Sequence, residues 1–383
     1  MNAPESRFDP LIATLGGKPR ARSLGLKLRG QPGRHNAITD VPGVRVGYTT
    51  LIAGDAVRTG VTAILPRGQG GVGTPCAAGF FSLNGNGEMT GISWIEESGA
   101  FSMPVLITNT HAVGPCHRAA IDWVVRHKPE LAREWLLPVV AETWDGYLND
   151  INGPHVRTEH ALAAIESASD GPVEEGSVGG GTGMNCYEFK GGSGTASRQV
   201  AYGSAHYHVG AFVQANFGAR RELTIDGIHL GAMLADDNPI DIHFSSKAPG
   251  AGSVIAIIAT DAPLLPGQCK ALARRVPLGL ARTGTSGSHF SGDLFLAFST
   301  ANEGALLSGF PFAGAEHETL DCLEFVRWSY MDRLYEAVVQ AVEEAVLNAL
   351  TANETMVGRD GHRSPGLPRE RVAAALQART LTA

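Results

Sequence analysis

PGAGSVIAIIATDAPL, residues 249–264, sets small, flexible residues directly against one of the most apolar β-type runs in the chain. From Val254 to Ala259 apolar and polar residues do not alternate, which predicts a strand buried on both faces. A strand of that kind needs cover on each side. The spacing therefore favours a layered α/β protein, with stacked sheets covered by helices. Ser253 stands at the head of the strand, directly behind Gly252. The ordinary reading is a polar residue at a strand start. The chemically specific reading is that its hydroxyl attacks the Gly252 carbonyl, which carries no side chain to block the approach. Hydrolysis of the resulting ester would leave Ser253 as a new N-terminus. Its hydroxyl would then sit beside an α-amine of ordinary pKa about 7.7–8.0, so one residue would carry both nucleophile and base.

Outward from this strand, further β-type runs are VRVGYTT (44–50), VTAIL (61–65), PVLITNT (104–110), WLLPVVAE (135–142), YHVGAFVQANFG (207–218) and GDLFLAFS (292–299). Helical spacing marks 117–127, 159–168 and the middle of LLPGQCKALARRVPLGLAR. A long helix is expected through Leu323, Val326, Tyr330, Leu334, Val338, Val342 and Val346. Residues 1–35 read as an arm or irregular lead-in. No linker divides the rest, so residues 1–383 are taken as one catalytic domain.

Composition excludes several classes. The chain is 43% apolar and 18% charged with a formal charge of −7, and no basic run interleaved with aromatics suggests nucleic acid. MNAPESRFDPLIATLGGKPRAR lacks a signal-peptide pattern, and no apolar window is long enough for a membrane helix. The five cysteines, Cys76, Cys116, Cys186, Cys269 and Cys322, form no CxxC pair and suit a reducing compartment. A cytoplasmic protein is expected.

Other motifs are weaker. The glycine-rich segment 176–198 lacks P-loop spacing and reads as a structural hairpin or a substrate-cradling loop rather than a nucleotide site. His206, His208, His229 and His243 show no zinc spacing. GTSGSHFSG (284–292) fits a nucleophile elbow poorly, because a strand follows Ser291 where a helix should.

Taken in order, NAITDVPGVRVGYTT, RTGVTAILPRG, PVVAETWDGYLND, GSVGGGTGM, FKGGSGTASR, VQANFG, IAIIATDAPLLP and SGDLFLAFSTAN make the chain resemble one family over nearly its whole length. It is the self-processing L-aminopeptidase/D-esterase (DmpA-type) family, which includes the β-peptidyl aminopeptidases. The resemblance implies a four-layer α/β/β/α sandwich, like the N-terminal-nucleophile hydrolases but with distinct connectivity. It implies autocleavage between Gly252 and Ser253 into fragments 1–252 and 253–383, which stay associated in a homotetramer. Ser253 matches the nucleophile, and Ser291 with Asp293 matches the Ser-Gly-acid pair that supports it. β-Peptidyl members carry Glu at the acid position, so Asp293 leans toward the L-aminopeptidase/D-esterase branch. Asn216 matches the side-chain donor of the oxyanion hole. Glu142 matches the carboxylate that holds the substrate's ammonium, with Asp145 a nearby rival. Trp144 stands where the family can carry an oxyanion-donating tyrosine, and Tyr147 lies a little further on. The expected substrates are short peptides, amides or esters with a free N-terminus, and no metal or organic cofactor is called for. The alternatives are β-peptidyl specificity, an acyltransferase of the ornithine-acetyltransferase kind (which uses threonine rather than serine), and a metabolite-binding protein built round the glycine segment.

Overall fold

The computed structural model describes residues 8–244, 252–310 and 320–380; residues 249–251 of the opening stretch lie outside them. Along the chain run strands β1 (Arg45–Ala53), β2 (Val57–Leu65), β3 (Cys76–Gly85), β4 (Ala100–Phe101), β5 (Val105–Asn109), β6 (Val139–Thr143), β7 (Gly192–Tyr202), β8 (Ala205–Asn216), β9 (Gly252–Thr260) and β10 (Ser291–Ser299). They form a four-stranded sheet in the order β1-β2-β5-β6 and a six-stranded sheet in the order β4-β3-β10-β9-β8-β7. Helices α1 (Val113–His127) and α2 (Thr158–Glu166) cover the smaller sheet. Helices α3 (Pro266–Ala273), α4 (Val276–Ala281) and α5 (Asp332–Thr351) cover the larger. The result is a four-layer α/β/β/α sandwich.

The lack of alternation in β9 now has its physical cause. Val254, Ala256 and Ile258 face the α3–α5 layer, while Ile255, Ile257 and Ala259 pack against the other sheet. β-Branched residues, stiff at χ1, suit such a doubly covered strand. β9 is antiparallel to β8, with Ser253 opposite Asn216, and parallel to β10, with Ser253 opposite Gly292. Three strand ends thereby bring Asn216, Ser253 and the Ser291–Asp293 segment together. On β7, a Cβ at Gly194 would lie 2.0 Å from the Ala345 carbonyl, so glycine there lets α5 approach the sheet.

Three sequence expectations need correction. The lead-in is irregular but docked: Arg20 pairs with buried Glu175 at 2.7 Å, and Arg22 with buried Glu344 at 2.7 Å on α5. The long helix starts at Asp332 rather than near Leu323, because the Val326 backbone is used elsewhere. Its N–H donates to the Pro263 carbonyl, and its carbonyl accepts from Gln268. β6 begins at Val139, just past Pro138, and Trp135 is exposed.

The glycine segment forms a short turn at Gly179–Gly181 and a small hairpin of Asn185–Cys186 with Phe189–Lys190. A Cβ at Gly180 would lie 2.6 Å from the Ile107 carbonyl, and one at Gly181 2.3 Å from the Ser193 nitrogen. These glycines permit close backbone packing. Among the described residues no His, Cys, Asp and Glu side chains cluster to hold a metal, and no helix is long and apolar enough to cross a membrane.

Candidate active site

Ser253, Asn216, Glu142, Trp144 and Tyr147 all line one cavity of about 570 Å³ at the strand ends. Ser253 is almost fully buried at its floor, and its Oγ accepts a long hydrogen bond, 3.3 Å, from the Trp144 backbone N–H. Gly252 is required by space as well as by access. A Cβ there would lie 1.9 Å from the Asn216 carbonyl oxygen, inside the backbone of the neighbouring strand.

The Asn216 amide is held at both ends. Its Oδ1 accepts from the Asn185 N–H at 2.8 Å, and its Nδ2 donates to the Trp144 carbonyl at 2.9 Å. Those partners fix which end is nitrogen, since an N–H needs the oxygen and a carbonyl needs the amide hydrogens. Among the described residues no acceptor takes the second Nδ2 hydrogen. Asn216 Nδ2 and the Trp144 N–H are thus two neutral donors held beside the serine.

Glu142 is the last residue but one of β6 and is only 3% exposed. Its Oε1 accepts from the Glu88 N–H at 2.9 Å, and its Oε2 from the Thr110 hydroxyl. Burial pushes its carboxyl above the ordinary carboxylate range, and those two hydrogen bonds offset only part of that. Among the described ion pairs no lysine or arginine joins it. A buried carboxylate held by neutral donors, with no lysine or arginine paired to it, is suited to take a cation.

Asp145 is turned away from the cavity. It is fully buried, its Oδ1 accepts from Asn149 Nδ2 at 3.0 Å, and burial pushes its carboxyl up to about 7. Of the two carboxylates, Glu142 is the one that lines the cavity. Trp144 supplies its backbone rather than an indole donor to the serine; its side chain is 40% exposed and packs near Phe244. The Tyr147 hydroxyl donates to the Arg363 carbonyl at 3.2 Å, and its ring stacks on His362.

Ser291 and Asp293 lie on β10 beside the Gly252–Val254 backbone, outside the cavity wall. The Ser291 hydroxyl donates to Asp293 Oδ1 at 2.5 Å, and Asn84 Nδ2 donates to Oδ2 at 2.9 Å. Burial raises the Asp293 carboxyl, partly countered by bonds from Ser291, Asn84 and the Val254 amide. The pair therefore borders the Ser253 backbone, where a liberated amine would stand, rather than its hydroxyl.

Sequence reasoning missed Asn84, Thr110, Asn185 and the Glu88 amide. Only Asn84 carried a signal, as a polar residue late in a strand that runs into Gly-Asn-Gly. The other three act through contacts between segments remote in sequence.

Comparison with known proteins agrees over almost the full length. Residues 36–364 match peptidase family S58. The β-peptidyl aminopeptidase BapA of Sphingosinicella microcystinivorans is 47% identical over 375 residues, covering 94% of this chain and 92% of the relative. Among solved structures, the L-aminopeptidase D-Ala-esterase/amidase of Ochrobactrum anthropi is described as a prototype for the serine aminopeptidases and a new variant of the Ntn-hydrolase fold. It superposes with a TM-score of 0.87 at 44% identity, covering 95% of this chain and 99% of that one. A Burkholderia sp. β-aminopeptidase superposes with a TM-score of 0.85 at 44% identity, over 94% and 98% of the two chains. By sequence and by fold, the chain belongs to peptidase family S58.

Proposed function

We propose that the chain is a self-processing aminopeptidase that uses Ser253 as an N-terminal nucleophile. The observation that supports this best is the convergence of Ser253, two candidate oxyanion donors and a buried carboxylate with no lysine or arginine among its described ion pairs on one cavity. In processing, Ser253 Oγ attacks the Gly252 carbonyl carbon. The C–N bond breaks, the nitrogen takes up the hydroxyl proton, and water hydrolyses the ester. Gly252 ends as a carboxylate and Ser253 as a free amine.

In turnover, that amine, directly or through a water, takes the Oγ proton as Oγ attacks the carbonyl of the substrate's first residue. Asn216 Nδ2 and the Trp144 N–H donate to the alkoxide that develops. Each such donor is worth roughly 3 kcal/mol when it acts on the transition state. The leaving amine departs with the proton, and water frees the acyl group. Ser291 and Asp293 hold the Ser253 amine in place, and Glu142 holds the substrate's ammonium.

The named relatives support two substrate classes, α-amino acid amides or esters and β-peptides. Both require a free amino terminus. An acyltransferase remains the alternative chemistry of the same acyl-enzyme, and hydroxylamine as a competing acceptor separates it from hydrolysis. On the family resemblance the processed protomers are proposed to work as a homotetramer, and on the cysteine pattern in a reducing, cytoplasmic compartment. The test of the function is hydrolysis of alanyl and β-alanyl p-nitroanilide against their N-acetyl forms. Release only from the free-amine compounds is expected, and equal release from the acetylated ones would contradict the role of Glu142.

A further inference from the structure

The cavity has two poles, placed by the order of the strands. Ser253 sits on β9, flanked by β10 on one side and β8 on the other. The Glu142 pole lies over β10: a Cβ at Gly87 would meet both Glu142 Oε1 and the Gly292 backbone, each at 3.2 Å, and the next residue, Glu88, gives its N–H to Glu142. The opposite pole lies over β8, where Asn185 binds Asn216 and the same hairpin carries Glu188. Asn238 Nδ2 donates to Glu188 Oε2, and the short helix Pro239–Phe244 that follows brings Asp241 to the wall.

A substrate whose ammonium is held by Glu142 and whose carbonyl is at Ser253 must send its leaving group toward the β8 pole. Two carboxylates, Glu188 and Asp241, line that pole, and the described lining residues of the whole cavity include no lysine, arginine or histidine. Arg220 stands behind Glu188. Its guanidinium is buried and donates to the carbonyls of Tyr187, Glu188 and Leu234, and from behind the wall its charge offsets part, not all, of that of Glu188 and Asp241.

We infer that the leaving-group side of this cavity selects cationic over anionic residues, with Glu188 and Asp241 as the specificity-determining side chains. The inference rests on the proposed aminopeptidase activity and names its preferred substrate class: dipeptides or amides whose second residue is basic. An acidic second residue would place like charges together in a partly water-excluded space, where repulsion is stronger than in bulk water.

The test is a series of alanyl and β-alanyl dipeptide amides with Lys, norleucine, Gln or Glu in second place, scored by kcat/KM. The expected order is Lys above norleucine and Gln, and these above Glu, with a Lys-to-Glu ratio of about tenfold or more at low salt. That ratio should shrink as salt screens the charges. Asp241→Asn and Glu188→Gln should each bring the ratio toward one, and together further. A wild-type ratio near one, or one unaffected by salt and by both variants, overturns the inference while leaving the aminopeptidase reading intact. Failure to hydrolyse any member of the series overturns both.

Discussion

Asn216→Ala removes three things together: the leftover Nδ2 hydrogen, the acceptor for the Asn185 N–H, and the donor to the Trp144 carbonyl. The first acts on catalysis. An oxyanion donor is worth about 10²–10³ in kcat, so kcat should fall by about that factor while KM changes little, because the ground-state carbonyl gains less from the donor than the alkoxide does. The other two act on stability. Asn216 is only 5% exposed, and each partner left unpaired costs about 1–3 kcal/mol if water cannot reach it. The same oxyanion forms when the chain cuts itself, so processing should slow as well. The assay is therefore kcat and KM on alanyl p-nitroanilide, normalised to the cleaved fraction by intact mass, with urea unfolding in parallel. A fully processed Asn216→Ala enzyme with kcat within fivefold of wild type would refute the oxyanion assignment. So would a variant that loses only through KM.

Two other perturbations follow from the charges. Glu142 must be ionised to hold an ammonium, and burial has raised its carboxyl. Glu142 should thus add its own acid limb to kcat/KM, besides the one set by protonation of the Ser253 amine, lying above the ordinary Glu value of about 4.3 and with KM rising as pH falls through it. Glu142→Gln should abolish the KM-linked limb, leave that of the Ser253 amine, and raise KM about tenfold or more; a rise of KM in acid that persists unchanged in the variant would assign it to another group. Glu344 is wholly buried and accepts from Arg22 at 2.7 Å, Arg198 at 2.6 Å and Asn36 at 2.6 Å; burial would raise its carboxyl, but Arg198 and Arg22 outweigh it and hold it below the usual range. Its contribution is therefore full above the unfolded value near 4.3 and is lost as pH falls through the lower folded value. Glu344→Ala strands the Arg198 guanidinium and should cost about 3–5 kcal/mol at pH 7 by urea unfolding, with the gap to wild type narrowing in acid. A gap below about 1 kcal/mol would show that the cluster contributes little.

The β9 strand was legible because its chemistry is local. A run of β-branched residues without alternation can only be satisfied between two covered faces, and a small residue before a serine is visible at once. Asn216 was legible for the same reason, as the polar end of an apolar strand. Glu142 was visible as a carboxylate after an apolar run, but not its preference over Asp145. Asp145 lies just past the end of β6, and only packing shows which of the two reaches the cavity. Trp144 illustrates the limit most plainly: the sequence offers an indole, whereas the site uses the backbone N–H, which every residue but proline possesses. The start of α5 was misread because Val326 has helical spacing, while its backbone is claimed by Pro263 and Gln268, some 60 residues earlier. Competition of that kind leaves no local trace.

The central claim is that Ser253 becomes an N-terminus and then serves as the nucleophile. It is tested most directly by intact-mass analysis and N-terminal sequencing of the purified chain beside Ser253→Ala. The account predicts two fragments, 1–252 and 253–383, whose masses sum to the full chain plus one water, the second beginning Ser-Val-Ile-Ala, and an uncut, inactive variant. A wild-type chain that hydrolyses alanyl p-nitroanilide while remaining whole would contradict it.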